Sequence, residues 1–156
     1  MRRQWRSDEG GALVEFLGVT VVLMVPLLYA VVAVAHLQAA TYAVEGSSRA
    51  AARGAALAAL EAIEAGGSDA QGIATAQAHA QAAVELALED FGVGGEPVVT
   101  VACGAAGCTG EQGEFVVTVA VDVPLPGIPG PVLDVLAATV NVSSHARAPL
   151  ALLESP

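Results

Sequence analysis

Lysine is absent from this 156-residue chain, and its only fixed cations are six arginines. Charged residues make up 14% of it, against about 25% for a typical soluble domain. Sixteen acids bring the net charge to −10, which excludes the basic footprint a nucleic-acid binder needs. The motifs of common catalytic sites are missing: G-x-S-x-G, H-E-x-x-H, a Walker loop and G-x-G-x-x-G do not occur. Cysteine is reduced to Cys103 and Cys108, and the three histidines, His36, His79 and His145, are scattered. The length permits one modest domain.

What is present is apolar, at 54% hydrophobic, and unevenly distributed. Arg2, Arg3 and Arg6 balance Asp8, Glu9 and Glu15 at the N-terminal end, and no formal charge occurs from Phe16 to Val44. Residues 45–156 then carry thirteen acids against Arg49, Arg53 and Arg147. As a helix, the uncharged run would extend about 44 Å, and a bilayer core needs about 20 apolar residues. It therefore reads as a membrane span. The arginines before it place the N-terminus in the cytoplasm and the body outside. Tyr42 and His36 fall near the outer interface. A secretory signal peptide is the competing reading, with cleavage after Ala35 or Ala40, but the run is too long and continues as helix.

Glu15 stands at the entrance to this run, in Gly10-Gly11-Ala12-Leu13-Val14-Glu15-Phe16. A carboxylate entering a bilayer costs roughly 2.5–3.5 kcal/mol and normally has a partner or a purpose. Cutting the chain between Gly10 and Gly11 would create an ammonium one helical turn from Glu15. The acid also lies in a first turn, where the helix dipole favours it. Together these residues resemble the class III signal of type IV pilin-like proteins, with a short basic leader, Gly at −1 and Glu at +5. The sequence Gly-Ala-Leu-Val-Glu-Phe before a long Val/Leu helix, and the Ala/Arg segment Ser48–Ala56, resemble the TadE-like minor pilins (pseudopilins) of Tad-type pilus systems. That resemblance implies a prepilin peptidase cut at Gly10–Gly11 and an assembly role for Glu15 and Phe16. It implies partners among other pilin subunits, Tad inner-membrane assembly proteins and membrane lipid, with no nucleic acid, no cofactor and no enzymatic activity. The alternative is a single-pass anchored extracellular ligand-binding domain outside any filament. Pro26 lies mid-span, as in many pilin-like stems, where it kinks a helix.

The division that follows is a leader at 1–10, a transmembrane stem at 11–44 and an extracytoplasmic body at 45–156. In the body, helix continues to Ala65, with Glu45 and Arg49 paired at i,i+4 and Leu57, Leu60 and Ile63 on one stripe. Gly66-Gly67 ends it, and Ser68-Asp69 starts a second helix reaching Phe91. Ile73, Ala76, Ala80, Val84, Ala87, Leu88 and Phe91 line one face of that helix, and Gln77, Gln81, Glu85 and Glu89 another. His79 reads as a solvated or half-buried helix residue and not a ligand, and Glu85, Glu89 and Asp90 as a solvated acidic cluster.

Beyond Gly92–Gly95 the period changes to two. Val99, Val101 and Cys103 share a face, then Phe115 to Val123 at odd positions, then Val140 to Ala148 at even ones. Three antiparallel strands covered by the second helix, an α+β fold, is the economical arrangement. The segment Pro124 to Pro131 reads as a rigid loop, whose Pro126-x-x-Pro129 matches a polyproline ligand only formally. A short helical turn is expected at Val132–Ala137. Asn141-Val142-Ser143 matches a glycosylation pattern inside an expected strand. Outside the membrane, Cys103 and Cys108 are expected to form a disulfide across a hairpin tip. Free thiols and a metal site are the alternatives, the latter lacking a second ligand cluster.

Overall fold

The computed structural model describes residues 9–108, 112–127 and 138–150. Two helices precede three strands: α1, Glu9–Glu64; α2, Asp69–Asp90; β1, Val98–Cys103; β2, Glu114–Pro124; β3, Thr139–Pro149. This is the α+β arrangement expected from the change of period near Gly92. Two compact units divide the chain, Met1–Ala35 and His36–Pro156, so α1 contributes to both.

In the first unit α1 is helical from Glu9 through Pro26. Its apolar side chains, among them Leu13, Val22, Leu28 and Val34, are exposed. The stretch satisfies the length and composition needed to cross a membrane, with none of its most apolar window buried. Residues 11–35 alone rise about 37 Å as helix, more than a bilayer core requires.

The second unit starts at His36, and its core already includes Ala40, Ala43 and Val44, which the sequence reading assigns to the stem. From there α1 buries Ala51, Ala52, Ala55, Ala56 and Ala59, with Ser47 and Ser48 among them. Of the stripe Leu57, Leu60 and Ile63, Leu60 packs against this core and Leu57 is 47% exposed. Small side chains let the helix backbone approach its neighbours closely, and a leucine on that face would hold them apart. Each buried serine has a partner. Ser47 Oγ donates to Val44 O at 3.1 Å, and Ser48 Oγ donates to Glu45 O at 3.0 Å. The Ser48 hydroxyl also lies 3.2 Å from that of Ser144 on β3.

Gly66, at φ +91°, closes α1 by donating to Ile63 O. Ser68 caps α2 in a reciprocal box with Gln71, satisfying two otherwise orphaned N–H groups. The buried stripe of α2 is Gly72, Ala76, Ala80, Val84 and Leu88. Phe91, expected to continue it, is the C-cap and is 63% exposed. Its position past the last helical turn takes it off the packed face.

The sheet order is β1-β2-β3, antiparallel throughout. Phe115, Val117, Val119, Val121 and Val123 are buried on one face with Val99, Ala146 and Ala148, as the alternation implies. Those side chains form one core with the alanines of α1 and with α2. Thr100, Thr118, Asp122, Asn141, His145 and Arg147 occupy the opposite, exposed face. The helical turn expected at Val132–Ala137 and the rest of that loop from Ile128 lie outside the described residues.

Candidate functional site

In the first unit the residues singled out by sequence occupy the start of α1. Gly10 and Gly11 both fall within the helix, and a Cβ on Gly11 would meet nothing within 4 Å. Glu15 and Phe16 follow on the exposed surface, and the Thr20 hydroxyl returns to Phe16 O at 2.8 Å. Glu15 has no ion-pair partner among the described residues. Tyr42, 71% exposed, lies within the second unit.

In that unit Cys103 and Cys108 form a disulfide with Cα atoms 4.5 Å apart. It closes the tip between β1 and β2, where Gly104 and Gly107 form an isolated bridge. Cys108 is buried and Cys103 exposed. Among the described residues no group of His, Cys, Asp and Glu could hold a metal ion. His79 lies on the exposed side of α2, beside Gly54, and Asn141 donates from Nδ2 to Asp122 Oδ1 at 2.9 Å. Glu85 and Glu89 border a shallow depression with Glu96 and Pro97, and Gln81 Nε2 donates to Glu85 Oε1.

A grouping not anticipated from sequence lies where α1 passes β3. Arg49, Arg53, His145 and Arg147, with Ala146, Ala148 and Pro149, line a groove of about 420 Å³. The i,i+4 spacing on α1 brings Arg49 and Arg53 to the same side. Arg49 is paired with Glu45, and Arg147 Nη1 reaches Glu114 Oε2 at 3.5 Å. Arg53 has no carboxylate partner among the described residues. All three arginines of residues 45–156 therefore converge on one groove of a strongly acidic body. The available signal was their scarcity: three cations among thirteen acids, two of them one turn apart.

The two outer edges of the sheet differ. Gly104 N donates to Glu114 O, and hydrogen-bonded pairs alternate along an antiparallel ladder. The odd residues of β1 therefore point their backbone groups away from β2. Gln77 of α2 meets them, donating from Nε2 to Val99 O at 2.9 Å and accepting from Val101 N at 2.9 Å. At the other edge, Leu150 N donates to Gly113 O and Leu125 N to Ala138 O. In the continuous β2–β3 register, even residues of β3 thus face β2, and His145 and Arg147 turn their N–H and C=O outward. No described strand pairs with that edge. Searches of family models, curated proteins and solved structures find no match to this chain.

Proposed function

We propose that this chain is a membrane-anchored pseudopilin, a TadE-like minor pilin taking part in assembly of a Tad-type pilus or related secretion system. The observation that carries the reading is the position of Glu15. It is the one formal charge between Gly11 and Val44, it is exposed on α1 without a partner among the described residues, and it lies one turn beyond Gly11. After a prepilin peptidase cut at Gly10–Gly11, the new ammonium of one subunit supplies the cation that Glu15 of a neighbour lacks. In a bundle of apolar stems that pairing fixes register between subunits, because a misaligned stem leaves a carboxylate buried alone. The helix dipole at the N-terminus adds to the preference. The N-terminus lies in the cytoplasm and the outer body, from His36 onward, faces partner subunits on the far side of the cytoplasmic membrane. The molecule acts by contact and carries out no chemistry of its own.

N-terminal sequencing of the protein from membranes containing a prepilin peptidase tests this reading. A mature chain starting at Gly11 supports it, and an intact Met1, or a start at His36 or Thr41, overturns it.

The groove at Arg49, Arg53 and Arg147 favours one second reading, an anchored ligand-binding domain that never enters a filament. Normal piliation after deletion of the protein, with no pilus component co-purifying, would select it.

A further inference from the structure

We propose that the free edge of β3 is a docking site for an extended, acidic segment of a partner protein. The segment adds as a fourth strand beside His145 and Arg147 and sets its carboxylates against Arg49, Arg53 and Arg147. Three observations within the second unit converge on this, and none depends on how the chain is anchored.

The first is backbone chemistry. The ladder register turns the N–H and C=O of both His145 and Arg147 away from β2. They form a template of two donors and two acceptors, the requirement for strand addition. Pro149, which has no N–H, marks one end of it. The second is the contrast between the edges. Gln77 occupies the outward groups of β1 at Val99 and Val101, whereas among the described residues nothing occupies those of His145 and Arg147. The third is charge. Every arginine of residues 45–156 lines the groove along this edge. Glu45 and Glu114 pair with Arg49 and Arg147, so Arg53 is the groove arginine without a carboxylate partner among the described residues.

The spacing suits a strand. Arg49 and Arg53 are one turn apart, about 6 Å of rise, close to the ~6.7 Å between alternate side chains of a β-strand. The core of the second unit, to which α1 contributes, lies on the face of the sheet that carries Ser144, Ala146 and Ala148. An added strand therefore turns one row of side chains toward Arg49 and Arg53, and the other toward Arg147 on the exposed face. Acids at alternate positions, Glu-x-Glu, match the first row. The competing role for these residues is protection, since charged side chains and proline also guard sheet edges against pairing.

Fluorescence anisotropy with the full chain in non-ionic detergent micelles separates the two. Three synthetic peptides carrying a neutral dye are compared: one alternating Glu with Val and Thr, one with Gln replacing Glu, and one keeping the acids but with proline at every other position. The first should bind, and the two controls about tenfold more weakly or worse, a difference of ~1.4 kcal/mol. Arg49→Gln with Arg53→Gln should reproduce that loss in the chain. His145→Pro, which removes an outward N–H and leaves all three arginines, should abolish binding of the first peptide. Failure of that peptide to bind overturns the proposal and leaves edge protection. Equal binding of the proline peptide reduces the groove to an anion patch, and equal binding of the Gln peptide removes the role of charge. Concentration-dependent self-association that the double arginine variant abolishes, without peptide binding, assigns the edge to a second copy and overturns the partner. Should a variant fail to fold, as read by far-UV circular dichroism, the three-peptide comparison on the unaltered chain still decides.

Discussion

Gln77 and Val101 are joined by a hydrogen bond of 2.9 Å from the Val101 N–H to Gln77 Oε1, across 24 residues of sequence. With the companion bond from Gln77 Nε2 to Val99 O, a single side-chain amide acts as a short length of strand and ties α2 to the edge of β1. The same bonds withhold that edge from other chains. Gln77→Ala leaves a half-buried N–H and C=O without protein partners, at a cost of about 1–2 kcal/mol. Urea denaturation in micelles, followed by circular dichroism, should show the lowered midpoint. Gln77→Glu keeps the acceptor for Val101 and loses the donor to Val99, so it should not restore stability.

Gly72 and Gly95 of the second unit would meet an added methyl group differently. At Gly72 a Cβ would lie 3.0 Å from Ile63 Cδ1 and 3.3 Å from Ala59 O. Ile63 Cγ1 is equally close at 3.0 Å, so the isoleucine side chain must give by a few tenths of an ångström, and Gly72→Ala should cost about 1 kcal/mol. At Gly95 the backbone is at φ +113°, and a Cβ would come within 2.5 Å of Asp122 O. Neither the carbonyl nor the dihedral can give way cheaply, and the dihedral alone costs about 1–3 kcal/mol. The order of stability in thermal melts should be unaltered chain, Gly72→Ala, then Gly95→Ala.

Much of this was legible in the sequence because its signals are local. Strict alternation from Phe115 to Val123 set both the strand and its buried face, and Gly66-Gly67-Ser68 marked one helix end and the next beginning. The packed face of α1 was not legible. Hydrophobic periodicity gives most weight to large side chains, so it selected Leu57, whereas the buried face is alanine and serine chosen for close approach. Phe91 was misplaced for a related reason: its spacing fits the stripe, but α2 stops at Asp90. Gln77 looked like one of four polar residues at equal spacing, since its partners are more than twenty residues away. The arginine groove depended on β3 passing Arg49 and Arg53, a juxtaposition that no local pattern records.

The Cys103–Cys108 bridge closes a loop of only a few residues, so the chain-entropy gain on cross-linking is small, about 2 kcal/mol. Reduction should lower the urea midpoint of the second unit by a corresponding amount without unfolding it in buffer, because Cys108 is one member of a core that runs from Ala40 to Leu150 and draws mainly on α1, α2 and the sheet. Full unfolding on reduction would show that the tip between β1 and β2 contributes far more than loop closure.

Glu15→Leu separates the cost of a charge in the membrane from its use. Removing the carboxylate relieves an insertion penalty of roughly 2.5–3.5 kcal/mol, so the variant should reach the membrane fraction at least as well as the unaltered chain. If Glu15 pairs with the ammonium of Gly11 in a neighbour, the same change removes the contact that aligns stems. Co-purification with pilus subunits should then fall although the protein remains in the membrane. Glu15→Gln keeps size and polarity but not charge, and it should behave like leucine in assembly if the ion pair is what matters. Assembly by both variants at the unaltered level would assign Glu15 to the cytoplasmic interface, where a carboxylate is solvated and needs no partner.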